Sequence, residues 1–159
     1  MNQTYLLIGG NVGDRFKNLE KAAQLIDEQA GKVVHRSGIY ETAAWGKEDQ
    51  PAFLNQVLQV ETDKNPQALL QSILQIELLM GRARKEKYGP RIIDIDILLY
   101  NDLQLNTNEL VIPHPQLQLR RFALTPLAEI SPGLIHPGLK KSVDELLLEC
   151  PDKLAVNKL

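Results

Sequence analysis

The stretch Ile92-Ile93-Asp94-Ile95-Asp96-Ile97-Leu98-Leu99-Tyr100 sets two carboxylates one residue apart inside an otherwise aliphatic segment. Side chains alternate across a strand. Ile93, Ile95, Ile97 and Leu99 are therefore expected on one buried face, with Asp94 and Asp96 on the other. At about 3.3 Å of rise per residue, the two aspartate Cα atoms lie roughly 6.5–7 Å apart. Like charges at that spacing repel, and aspartate is disfavoured in strands. A wet edge strand would more naturally carry threonine, lysine or mixed charge between its aliphatics. A pair of hard divalent cations removes the repulsion and accounts for oxygen ligands. With two protein carboxylates, such ions keep positions for water and substrate phosphates, which is the habit of magnesium.

The segment just before it, Arg82-Ala83-Arg84-Lys85-Glu86-Lys87-Tyr88-Gly89-Pro90-Arg91, carries five cations and one anion. Taken alone, a charge run is most often a solvated face. Its position favours a role, because Arg91 lies three residues before Asp94. Arginine beside magnesium holds polyphosphates and stabilises charge that develops in transfer. Gly81, Gly89 and Pro90 favour a loop there, and a long charged loop beside a site can act as a lid, with Tyr88 supplying an apolar contact. No Gly-x-x-x-x-Gly-Lys-Ser/Thr occurs, so this is not a P-loop chain. From these residues alone the chemistry reaches a magnesium- and phosphate-handling site; phosphoryl and pyrophosphoryl transfer both remain open.

These groups need a scaffold, and the pattern supplies one. Tyr5 to Ile8 reads as a central strand ended by Gly9-Gly10-Asn11, a strand-to-helix turn. Asp14 opens a helix whose buried stripe is Phe16, Leu19, Ala22, Ala23, Ile26 and Ala30, with Gly31 as a left-handed cap. Val33 to Glu41 and Phe53 to Glu61 read as strands. Asn65-Pro66 starts a second helix with Leu69, Ile73, Ile76 and Met80 buried, closed by Gly81. From Asn101 onward, short helices and loops are expected. The order β-α-β-β-α-β predicts a ferredoxin-like α+β domain spanning 1–159, with C-terminal helices and short strands packed on a mostly antiparallel sheet.

Composition narrows the function classes. A chain of 159 residues with 43% apolar and 24% charged residues fits one soluble globular domain. A net charge of −2 provides no global field for nucleic acid or anionic membrane. One cysteine, Cys150, forms no internal disulfide, and no apolar stretch approaches a membrane span or signal peptide. A cytoplasmic chain working as a monomer is expected. The element order also suits an RNA-binding module or a small-molecule regulatory domain. An RNA-binding sheet, however, presents aromatics with basic neighbours, and Asp94 and Asp96 would repel a phosphate backbone. A regulatory domain would not need the concentration of arginine and aspartate.

The run Lys87-Tyr88-Gly89-Pro90-Arg91-Ile92-Ile93-Asp94-Ile95-Asp96-Ile97-Leu98 resembles the signature of the dihydropterin pyrophosphokinases. Further similarities are Gly9-Gly10-Asn11, Gln50-Pro51-Ala52-Phe53-Leu54-Asn55, Glu77 through Lys85, Pro113-His114 and Arg120-Arg121-Phe122, so the resemblance covers nearly the whole chain. It implies a monofunctional enzyme of folate biosynthesis that moves pyrophosphate from ATP to the hydroxymethyl group of 6-hydroxymethyl-7,8-dihydropterin and releases AMP. It implies that Asp94 and Asp96 hold two magnesium ions, and that Arg82 and Arg91 contact the transferring phosphates. Arg84, Lys85, Ile97, His114 and Arg120 fall to the nucleotide. Phe53 and Phe122 fall to the two faces of the pterin, with Asn55, Thr42, Trp45 and Tyr88 around it. The chain departs from the family pattern at Gly10 (more usually serine), Trp45 (a smaller apolar residue), Tyr88 (tryptophan), and at Leu74 and Glu109, where some relatives carry polar or basic nucleotide contacts.

Overall fold

A computed structural model describes residues 1–43, 50–81 and 91–159. In chain order its elements are β1 (Asn2–Gly10), α1 (Arg15–Gln29), β2 (Lys32–Arg36), β3 (Tyr40–Thr42), β4 (Phe53–Thr62), α2 (Pro66–Leu79), β5 (Asp94–Tyr100), β6 (Leu105–Asn106), β7 (Val111–Ile112), α3 (Arg121–Ile130), α4 (Val143–Glu149) and β8 (Val156–Lys158). It is a mixed α/β arrangement. Among the described residues the main sheet runs β5-β1-β4-β3-β8, with β2 also on β4, and every pairing in it is antiparallel. β6 and β7 form a separate small pair. No helix among the described residues is long and apolar enough to cross a membrane.

Strand alternation gives the sheet two apolar faces. Leu6, Ile8, Leu54, Leu58, Ile95 and Ile97 face one way and bury against Leu19, Ala22, Ala23 and Ile26 of α1 and Leu69, Ile73 and Ile76 of α2. Tyr5, Leu7, Val57 and Leu99 face the other way, against Ala123, Leu124 and Leu127 of α3 and Val143 and Leu146 of α4. Each wholly buried aliphatic contributes about 1.5–3 kcal/mol, so the first face is a main source of stability.

The helix starts follow local chemistry. Asp14 caps α1 by accepting from the Lys17 N–H, and Asn65 caps α2 by accepting from the Ala68 N–H, with Pro66 at the first helical position. Gly81 closes α2 at a φ of 84°, the left-handed region that glycine enters freely.

Five sequence expectations need correction. β1 does not stop at Ile8; it continues through Gly9 and Gly10, both of which sit in the ladder. Phe16 is 50% exposed and lies off the buried stripe of α1. Gly31 adopts no left-handed conformation; it is required because a Cβ there would strike the Glu61 carbonyl oxygen of β4. The single strand expected over Val33–Glu41 breaks at Ser37, which keeps its own N–H bond to the Val57 carbonyl while side chains take up the other groups: the Ser37 hydroxyl accepts from the Val57 N–H, and Gln56 donates to the Ser37 carbonyl. The last is Leu99. Between Tyr5 and Leu6 the β1–β5 register shifts, so Leu98 is an extra residue, Leu99 joins the α3 face, and Tyr100 takes the α1/α2 face.

α3 is tied to the broken edge by Glu129, which accepts from the Tyr40 hydroxyl and the Gly38 N–H and pairs with Lys158 of β8. Burial, then the bond to Glu129 and its charge, pushes the Tyr40 hydroxyl up from 10.0 to about 12. Burial alone would raise the Glu129 carboxyl, but the bonds from Tyr40 and Gly38 and the Lys158 charge outweigh it and hold the group below its ordinary 4.5. A carboxyl held low stabilises the fold above its ordinary value and loses that contribution as pH falls through the lower folded value. A hydroxyl pushed up stabilises below its ordinary value and loses that as pH rises toward the folded one. Tyr40→Phe is therefore expected to lower stability by about 1–2 kcal/mol at neutral pH, with the deficit shrinking in acid below 4.5 and in alkali above 10.0. Urea denaturation at a series of pH values checks it; a pH-independent deficit contradicts the pair's role.

Candidate active site

The face of the sheet turned away from α1 and α2 is covered by α3 and α4 only over part of its length. At the uncovered end, strand register lines up groups from four adjacent strands. Gly9 of β1 is opposite Asn55 of β4 on one side and Asp94 of β5 on the other; Leu7 is opposite Asp96, and Phe53 is opposite Thr42 of β3. These residues, with Ala43, Arg91, Arg120, Phe122, Asp152 and Leu154, line one open cleft.

Gly9 is the floor between the two halves. A Cβ at this position would run into the Asn55 side-chain oxygen and crowd the Leu54 carbonyl, so only glycine lets Asn55 lie over the central strand. The next residue but one, Asn11, is a buried clasp, 1% exposed. Its amide donates to the Gln50 side chain (3.1 Å) and the Pro51 carbonyl (3.0 Å), and its oxygen accepts from the Arg91 N–H (2.9 Å). One side chain thereby fixes the chain on both sides of the cleft. Arg15 adds a tie at the α1 start, donating to Glu41 (2.7 Å) and the Ala52 carbonyl (2.9 Å).

Asp94 and Asp96 project from β5 into the cleft while Ile95 and Ile97 go into the core. Arg91 approaches Asp94 at 3.8 Å. Between the two aspartates the Ile95 N–H points away from β1 and donates to the carboxylate of Glu77 on α2, 2.8 Å away, in a residue only 3% exposed. This buried bond pins the strand at the midpoint of the pair. Among the described residues no cluster of three or more His, Cys, Asp or Glu could hold a metal. The site offers two hard oxygen ligands facing an open cleft, which fits magnesium completed by water and substrate phosphates and does not fit a closed structural ion.

His114 follows β7 and sits beside β5: its N–H donates to the Leu98 carbonyl, and its Nδ1 accepts from the Gln116 N–H at 3.1 Å. Burial, then the positive charge of Arg120, pulls its pKa down to about 4, with Asp94 opposing. The ring is thus neutral near pH 7, and the Nδ1 acceptor leaves Nε2 carrying the proton. Arg120 is held by Gln116 (2.6 Å) and lies 5.6 Å from the centre of the Phe122 ring.

Of the residues singled out from sequence, Thr42, Phe53, Asn55, Arg91, Asp94, Asp96, Arg120 and Phe122 come together in one cleft. His114 stands close enough for Asp94 and Arg120 to act on its charge. Ile97 does not join them, because its place on β5 turns its side chain into the core with α1 and α2. Trp45, Arg82, Arg84, Lys85 and Tyr88 lie outside the described residues. Asp152 and Leu154 were not anticipated; nothing local in the tail sequence signals a site. Leu7 was legible only as strand core.

Comparison with known proteins gives this geometry a context. The model of the 7,8-dihydro-6-hydroxymethylpterin-pyrophosphokinase family matches residues 5–132. The chain belongs to that family. A 2-amino-4-hydroxy-6-hydroxymethyldihydropteridine pyrophosphokinase of Aquifex aeolicus is 45% identical over 145 residues, covering 91% of this chain and 90% of the relative. The folic acid synthesis protein FOL1 of Dictyostelium discoideum is 39% identical over 95% of this chain, which spans 23% of that protein. In fold, the chain resembles a Plasmodium falciparum HPPK-DHPS crystal structure with a TM-score of 0.75 at 21% identity, over 94% of this chain and 43% of the other.

The Thr42 hydroxyl is a feature that a pyrophosphokinase substrate would explain. It lines the cleft, is buried, and has no hydrogen-bond partner among the described residues. An orphaned buried hydroxyl costs about 1–3 kcal/mol until something satisfies it. Thr42→Val is expected to leave thermal stability unchanged or raised, since valine suits a strand and removes the orphan. The same change should weaken pterin binding about 5- to 30-fold, by loss of a bond worth about 1–2 kcal/mol. Calorimetry and a pterin titration on one preparation check both; a destabilised protein that binds normally contradicts the assignment.

Proposed function

We propose that this cleft transfers pyrophosphate from ATP to the hydroxymethyl oxygen of 6-hydroxymethyl-7,8-dihydropterin, a step of folate biosynthesis, with its two halves dividing the work. The Asp94–Asp96 face takes the triphosphate, and the Phe53, Asn55 and Thr42 face takes the ring. The observation that carries the division is the register: Gly9 sets Asp94 and Asn55 on opposite sides of one residue.

On the ring side, an aromatic from β4 and another from α3 line the cleft, and both suit a flat heteroaromatic. Asn55 offers two donors and an acceptor to the amide-like edge of a pterin, and the Thr42 hydroxyl adds one more polar group. On the phosphate side, two magnesium ions bound by Asp94 and Asp96 would neutralise the triphosphate and the charge that builds during transfer. Arg91 brings a fixed cation beside Asp94, and Arg120 brings a second to the same cleft. Neutral His114, with its proton on Nε2, can donate a hydrogen bond to a nucleotide oxygen without adding charge. In the transfer, the hydroxymethyl oxygen bonds to the β-phosphorus, the bridging oxygen leaves on AMP, and the hydroxyl proton is lost to solvent. Positioning and electrostatics do most of this work, as in phosphoryl transfer generally.

The same reading takes residues 1–159 as a single domain and the core as ferredoxin-like. The element order supports it, with β2 and β3 together filling one strand position beside β4. We place the reaction in the cytoplasm, where ATP is abundant and a free thiol such as Cys150 stays reduced.

AMP release on mixing ATP, magnesium and the hydroxymethyl pterin tests the assignment, and absence of pterin-dependent AMP removes it. Asp96→Ala is expected to keep the fold and lose at least about 1,000-fold in turnover, near 4 kcal/mol of transition-state stabilisation. A folded Asp96→Ala protein with normal turnover refutes the metal role.

A further inference from the structure

The chain from Pro151 onward contributes two residues to the cleft, Asp152 and Leu154, which both lie beyond the residues 5–132 that match the family model. Asp152 uses both oxygens. One accepts from the Arg121 N–H at 3.2 Å and the other from the Leu154 N–H at 3.0 Å. Arg121 is the first residue of α3. The residue before it, Arg120, makes no side-chain cap, and the first turn holds no acidic side chain. A helix start has free N–H groups and a partial positive charge that want a carboxylate. Asp152 supplies it from a remote part of the sequence.

The residues on either side of the capped N–H are Arg120 and Phe122, and both line the cleft. Beyond Leu154 the tail enters the sheet as β8, where Val156 is opposite Thr42. One short segment therefore holds the start of α3, forms a wall of the cleft, and braces the strand that carries Thr42.

We propose that the C-terminal tail is a substrate-positioning wall: Asp152 sets Arg120 and Phe122 through the α3 start, and Leu154 closes the ring side of the cleft. Asp152 is a positioning residue, acting through its neighbours. The inference rests on the pyrophosphokinase reading and deepens it by assigning ring affinity partly to the tail. Its effect falls on affinity, for the ring through Phe122 and for the triphosphate through Arg120, because neither Asp152 nor Leu154 belongs to the Asp94–Asp96 pair.

The test compares wild type with Asp152→Ala, Asp152→Asn and Leu154→Ala, by steady-state kinetics and by titration with the pterin alone. Asp152→Ala is expected to raise the pterin Kd and KM about 3- to 30-fold, the range of a lost cap, with kcat changed less than about threefold. Asp152→Asn keeps an acceptor oxygen toward Arg121 and is expected to recover most of the loss. Leu154→Ala is expected to raise the pterin KM by a smaller factor. An unchanged pterin Kd in Asp152→Ala overturns the proposal. So does a fall in kcat that merely tracks lost folded protein, measured by thermal unfolding, at constant KM. A wild-type protein that neither binds pterin nor releases AMP instead overturns the reading on which the proposal stands.

Discussion

Two like charges held side by side on β5 are the constraint that organises the molecule. Asp94 and Asp96 cannot share a dry face, and they cannot sit on a loosely held strand if they are to meet a ligand at fixed spacing. The structure answers both demands. The opposite face of β5 is anchored by Ile95 and Ile97 in the core, and the backbone between the aspartates is held by the buried Glu77 carboxylate. Burying Glu77 is costly unless its carboxylate is bonded, so the same bond fixes α2 against β5.

The sheet divides its duties by face. Toward α1 and α2 it is apolar along most of its length. Toward α3 and α4 it is apolar only until the helices stop, and the uncovered end becomes the cleft. Because β1 is bordered by β5 and β4, the Asp94–Asp96 half and the Phe53–Asn55 half of the cleft lie on its two sides, and a glycine between them keeps the floor flat. Asn11 then ties Gln50–Pro51 and Arg91 to the end of β1, so the chain on both sides of the cleft shares one anchor. Likeness to crystal structures at about one-fifth identity shows that the scaffold tolerates wide sequence change.

Much of this was legible in sequence because it depends on near neighbours. The Asp94/Asp96 alternation is a property of any strand, and the Asp14 and Asn65 caps each act within three residues. Phe53 and Asn55 share a face for the same reason as the aspartates. Their meeting with Phe122 and Arg120 was carried by family resemblance, since no periodicity links β4 to α3. The break at Ser37, the extra residue at Leu98 and the need for glycine at position 31 were not legible. Each is fixed by what a distant strand presents: the Val57 amide, the β1 register and the Glu61 carbonyl.

The sequence by itself determined which side chains could carry the chemistry, since side-chain type and strand period are local properties of the chain. It determined the helix starts in the same way. Only the tertiary structure decided that Leu99 turns to the α3 face, that Glu77 serves the backbone of β5, and that Asp152 and Leu154 of the tail line the cleft. The physical reason is that burial and hydrogen-bond satisfaction are settled between elements far apart in the chain. A carboxylate's partner, unlike its charge, is not written beside it.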